Sequence, residues 1–150
     1  ETSNHTGIIV AGLSDDGHCY VLEDATVKAS PAQWAAKAVE CFERHKADRI
    51  VAESNQGGEM VRHTIATVNT FGPRATVKLV HASRGKFTRA EPIAALYEQG
   101  KVHHVGGFAK LEDQLCTWTM DDPSPDRLDA LVWAVSELML NQAGKIIFFP

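Results

Sequence analysis

The sequence predicts an α/β domain built on a mixed β-sheet flanked by helices, and three observations carry that prediction. Two strand-like runs, "GIIVAGL" (7–13) and "HCYVLED" (18–24), are separated by "SDDG", whose Asp-Gly pair is a hairpin turn signal. After them, segments with helical periodicity alternate with short β-type runs, the pattern of parallel strands joined by helices. The chain has 150 residues, 44% hydrophobic and 23% charged, enough for one domain that buries its own core without disulfide staples.

Each element follows from local chemistry. In "HCYVLED", Tyr20 and Leu22 fall on one side and Cys19 and Val21 on the other. Ser30 followed by Pro31 reads as an N-cap and a first-turn proline, so a helix is expected over 31–46, with Trp34, Ala38, Cys41 and Phe42 on one face. "RIVAE" (49–53) is a strand, and glycines in "SNQGG" let the chain turn into a helix over "GGEMVRHTIATVN". "TVKLVHA" (76–82) is the next strand, "SRGKFTR" a basic loop, and "AEPIAALYEQG" a helix closed by Gly100 at C′. "KVHHV" is a short strand, "FAKLEDQLCTW" a helix and "MDDPSP" a loop. The last helix is expected from about Ser124 or Pro125 to Asn141, followed by a short apolar tail, "GKIIFFP".

Bulk properties exclude several function classes. No apolar run approaches the roughly 20 residues of a membrane span, and "ETSNHT" is not a signal peptide. A net charge of −4 advertises no polyanion partner, so nucleic-acid contact would need a local basic patch. Cys19, Cys41 and Cys116 are odd in number and form no CxxC pair, which reads as reduced thiols in a cytosolic setting. There is no GxSxG, no GxGxxG and no P-loop, so serine hydrolase, dinucleotide and ATP chemistry lack a signature.

The acids are more informative. In the last helix Leu128, Leu131, Val132, Val135, Leu138 and Met139 form an apolar face that Trp133 and Leu140 widen, and Asp129 falls inside this arc. An ionised carboxylate there is costly unless paired. Arg49, Arg62 or Arg127 could pair with it, or a divalent cation shared with Glu53 could. Glu53 ends a buried-type strand, and ligands in open α/β sheets collect beyond the carboxyl ends of strands. Asp126, one turn before Asp129, is explained almost as well by the helix dipole as by metal binding. Acids converging from a strand end and a late helix would suit a two-metal phosphodiester-cleaving site, in which one ion activates water and the other stabilises the leaving oxygen.

"SRGKFTR" gathers Arg84, Lys86 and Arg89, a spacing suited to sequence-independent contact with phosphates. His103 and His104 are adjacent on a strand and point to opposite faces, so they cannot chelate one ion together and read as structural.

Four segments, "ETSNHTGIIVAG", "RIVAESNQGGEMV", "HASRGKFTRAEPIAALYEQGKVHHV" and "DRLDALVWA", together resemble the C-terminal nuclease domain of phage terminase large subunits. The resemblance implies a ribonuclease H-like fold and Mg²⁺- or Mn²⁺-dependent cutting of double-stranded DNA during genome packaging. It places Glu53 and Asp129 at the positions of catalytic, metal-holding acids and Asp126 as an auxiliary ligand. It implies DNA-backbone contact for the block containing Lys86 and Arg89. It also implies partners: an N-terminal ATPase domain of the same chain, a terminase small subunit and a portal protein, all at a procapsid in the host cytoplasm. The family's first catalytic aspartate lies on a central first strand, upstream of where this sequence begins. Without that strand the sheet would carry a costly gap between the hairpin and the following parallel strands, so the first, central strand is expected to be missing from this sequence and to lie in residues upstream of it. Two other readings remain: a resolvase- or integrase-type nuclease of the same fold, and a catalytically silent DNA- or portal-docking module.

Overall fold

The computed structural model describes residues 5–54, 58–68, 75–119, 121–122, 125–141 and 146–149. Several features of the sequence reading fall partly outside them: Asn55–Gly57 of the glycine turn, Asn69 at the expected end of the following helix, Met120, Pro123 and Ser124 of the "MDDPSP" loop, and Gly144, Lys145 and Pro150 of the tail.

The hairpin consists of β1 (Ile9–Leu13) and β2 (Cys19–Asp24), paired antiparallel. There follow α1 (Pro31–Arg44), β3 (Arg49–Glu53), α2 (Gly58–Val68), β4 (Val77–Val80) and α3 (Lys86–Glu98). The chain continues through β5 (Val102–His104), α4 (Ala109–Thr117), α5 (Asp126–Asn141) and β6 (Ile146–Phe149). One six-stranded mixed sheet results, in the order β4-β3-β6-β1-β2-β5. The α/β expectation therefore holds, and most elements lie within a few residues of their predicted bounds.

Strand alternation builds the layers. Ile8, Val10, Ile50 and Ala52 point to one face of the sheet, where Ala35, Ala38 and Phe42 of α1 and Val61 and Ile65 of α2 cover them. Ile9, Ala11, Cys19, Val21, Val51 and Val102 point to the other, under Ile93 of α3, Leu111 of α4 and Leu128, Leu131, Val135 and Leu138 of α5. At the head of α1 the backbone N–H of Ser30 donates to Gln33 Oε1 at 2.9 Å, closing the predicted start. Gly100 stands at the predicted C′ position of α3 with φ +72°, where a side chain would be strained. The described residues contain no helix long and apolar enough to cross a membrane, and Cys19, Cys41 and Cys116 are free thiols.

Two expectations need correction. The gap between the hairpin and β3 does not form, because the tail becomes β6 and fills it, antiparallel to β1 and parallel to β3. Ile147 pairs with Val10 on one side and Ile50 on the other. The physical reason is backbone accounting: β1 and β3 are buried strands, and their inner edges would otherwise leave N–H and C=O groups unpaired. The β-branched and aromatic run "IIFF" suits that slot. The second correction concerns "SRGKFTR", which is a loop only to Gly85. Helix α3 begins at Lys86, a turn earlier than expected, and Pro92 consequently lies inside it.

At the opposite end of the sheet the chain entering β1 presses on the first turn of α5. A Cβ on Gly7 would lie 2.3 Å from the carbonyl oxygen of Asp126 and 3.2 Å from Ala130 Cβ. Only hydrogen at this position lets the two backbones meet.

Two outcomes follow for stability. Ile147→Pro removes a ladder hydrogen bond from an interior strand and is expected to lower unfolding free energy in urea by about 3 kcal/mol; an unchanged midpoint would mean that β6 is not interior. Gly7→Ala overpacks the contact with α5 and is expected to cost about 1–3 kcal/mol in the same titration.

Candidate metal centre

Helix α5 carries Asp129, Trp133 and Glu137 at i, i+4 and i+8, so the three share one stripe. Glu137 is 6% exposed and is held by Lys78 Nζ of β4 at 2.7 Å and Arg49 Nε of β3 at 3.4 Å. Arg49 opens β3, so the C-terminal half of α5 lies over the start of that strand. The other end of α5 is fixed by Gly7. Because Ile9 pairs with Phe148 and Phe149 with Ala52, the entry to β1 sits beside the end of β3. Helix α5 therefore runs antiparallel to β3.

This geometry places Asp129 and Glu53 towards the same end of the sheet. From Glu137 back to Asp129 is about 12 Å of helix, and from Arg49 forward to Glu53 is about 13 Å of strand. Both acids thus arrive at the carboxyl end of β3. They also face the same layer, since Val51, two residues before Glu53, points into the cluster that contains Leu128 and Leu131. Glu53 is 6% exposed, and among the described residues its carboxylate has no hydrogen bond or ion pair.

Asp129 is equally buried, but it has partners. Arg89 Nη1 lies 3.5 Å from its Oδ1 and Lys86 Nζ lies 3.8 Å from its Oδ2. None of the three arginines expected from the sequence supplies the charge: Arg127 bonds Asp24 at 2.8 Å, Arg62 bonds Glu59 at 3.0 Å, and Arg49 reaches Glu137. Arg89 is placed by more than the carboxylate. Its guanidinium carbon lies 4.7 Å over the Trp133 ring, and its Nε donates to the Arg84 carbonyl at 3.2 Å. The early start of α3 brings Lys86 and Arg89 onto its first turn, where cations oppose the helix dipole and the nearby carboxylate offsets the cost.

Asp126 sits half-buried one turn before Asp129. Burial pushes its carboxyl above the ordinary aspartate range, opposed by His5 and Lys86 and reinforced by the negative charge of Asp129. Lys86 thus acts on both acids. Of the basic trio, Arg84 and Lys86 are exposed, whereas Arg89 is drawn inward and its side chain is only 11% exposed.

The donors suit a hard divalent cation. Two buried carboxylates from separate elements, one unpartnered among the described residues and the other held at 3.5 Å or more, leave oxygen lone pairs for an ion that also keeps waters. The described residues contain no group of three or more His, Cys, Asp or Glu arranged to enclose one. Phosphate or water oxygens would have to complete the shell.

The paired histidines are structural, on opposite faces as expected. His103 Nε2 meets His18 Nδ1 at 2.7 Å. His104 Nε2 meets the Tyr97 hydroxyl at 2.7 Å and its Nδ1 meets Glu112 at 2.9 Å, tying α3, β5 and α4 together. What the sequence reading missed was the Arg89–Asp129 pairing. The signal available was Trp133 one turn after Asp129, which makes a ring-and-carboxylate seat for a guanidinium.

No curated protein sequence matches the chain. A family profile described as "Terminase RNaseH-like domain" matches residues 1–138. That description points to a nuclease-type role in a terminase, and RNase H-like nucleases generally use divalent metals. With the mixed sheet and its flanking helices in agreement, the chain belongs to the terminase RNase H-like domain family.

Proposed function

We propose that this domain is a metal-dependent endonuclease that cuts concatemeric double-stranded viral DNA during genome packaging. What supports the reading is the burial of two acids, Glu53 at the carboxyl end of β3 and Asp129 in the first turns of a helix that runs antiparallel to that strand. Mg²⁺ or Mn²⁺, in a two-metal arrangement, would supply Lewis acidity to the attacking water and to the leaving oxygen. Glu53 and Asp129 are the residues to hold the ions, with Asp126 assisting from one turn away. Burial of the two carboxylates keeps their oxygens directed and poorly hydrated, which strengthens their hold on a cation.

Arg84 and Lys86, exposed at the head of α3, would seat the phosphate backbone beside the acids, and Arg89 would join them once free of Asp129. Such contacts position DNA without reading its sequence. Double-stranded DNA, an ATPase domain of the same chain, a terminase small subunit and a portal protein are the proposed partners. The proposed setting is the packaging motor at the procapsid in the host cytoplasm.

The test is cleavage of supercoiled plasmid with Mn²⁺, with Mg²⁺ and with EDTA. Losing a metal ligand removes several kcal/mol of transition-state stabilisation, so Asp129→Asn and Glu53→Gln are each expected to slow cutting about 100-fold or more. Linear product that persists in EDTA, or at the wild-type rate in Asp129→Asn, would sink the reading.

A further inference from the structure

We infer that Arg89 is the internal counter-ion of the metal centre. In the free protein its guanidinium neutralises Asp129, and it exchanges that carboxylate for a DNA phosphate when a divalent cation takes its place. This inference rests on the reading of Asp129 as a metal ligand.

Three observations carry it. Asp129 is buried and an unpaired carboxylate is costly in that setting; Arg89, with its side chain 11% exposed, supplies the cation. The pairing is loose. At 3.5 Å it is well beyond the roughly 2.7–2.9 Å of a strong charge-assisted hydrogen bond, so a cation can compete for the oxygen. Finally, Arg89 does not depend on Asp129 for its position, because the Trp133 ring beneath it and the Arg84 carbonyl hold the guanidinium at the rim of the site. After release it stays next to Asp129, with its donors turned towards any phosphate that shares the ion. Lys86, 50% exposed and 3.8 Å away, is a weaker second counter-ion.

The consequence is a sign difference that a purely structural ion pair would not produce. While Arg89 occupies Asp129, the site competent for metal is only part of the population, and apparent metal affinity falls by that fraction. Removing the guanidinium should tighten metal binding to the free protein and weaken binding of DNA to the metal-loaded protein.

The measurement is Mn²⁺ binding to the protein without DNA, read from the electron paramagnetic resonance signal of free Mn²⁺. Three proteins are compared: wild type, Arg89→Gln and Asp129→Asn. Expected is about tenfold tighter binding for Arg89→Gln, equivalent to 1.4 kcal/mol, and loss of that binding in Asp129→Asn. Arg89→Lys should give a smaller gain, since an ammonium keeps the charge but cannot lie flat on Trp133; it also serves if Arg89→Gln does not fold. If Asp129→Asn abolishes Mn²⁺ binding while both Arg89 variants bind no tighter than wild type, the counter-ion role is overturned and the metal-ligand reading stands. If Asp129→Asn binds Mn²⁺ like wild type, both are overturned.

Discussion

The structure turns on carboxylates carried by the core face of one helix. Asp129 and Glu137 lie on a single stripe of α5, 5% and 6% exposed, and each is met there by cationic side chains. Glu137 is met by Lys78 and Arg49, which fixes α5 across the parallel strands. Asp129 is met by Arg89 and Lys86, which draws the head of α3 over the same helix. One pairing sets the direction of α5 and the other sets the position of the basic cluster. Together they place Asp129 towards the end of the sheet where β3 finishes in Glu53. The Glu137 pair is tight and structural; the Asp129 pair is loose and sits at the rim, the difference expected between an anchor and an exchangeable seat.

The sheet depends on a second constraint, that no buried strand leaves an edge unpaired. β1 and β3 are apolar on both faces and would each present an open ladder to the other. β6 closes both, and it joins the two-stranded parallel group to the three-stranded group of the hairpin and β5. It also aligns the end of β3 with the entry to β1, and through Gly7 it aligns that end with the first turn of α5. The site is therefore held by backbone pairing on one side and by buried charge on the other. The strand in that slot, "IIFF", carries no acid.

Much of this was legible in the sequence because the local signals were strong. The Asp-Gly turn, the Ser-Pro helix start, the "RIVAE" strand and the Gly100 stop each have a short-range cause, and each appears where expected. The oddity of Asp129 was also visible, because helical periodicity alone places a charge among apolar neighbours. Its partner was not visible. Arg89 lies 40 residues away in sequence in a segment that reads as a solvated loop, whereas the helix already begins at Lys86. The fate of "GKIIFFP" was hidden for a similar reason: a short apolar run has no preferred neighbour until the strands around it define a slot. The resemblance to terminase nucleases singled out Glu53 and Asp129; packing and charge show that Arg89 and Lys86 hold Asp129.

The most direct test is a crystal of the protein soaked in Mn²⁺, with the ion located by its anomalous scattering. If Glu53 and Asp129 hold the ion, a peak is expected about 2.1 Å from carboxylate oxygens of both, with the Arg89 guanidinium withdrawn from Asp129. A peak bound to other acids, with Arg89 still paired to Asp129, would contradict that assignment.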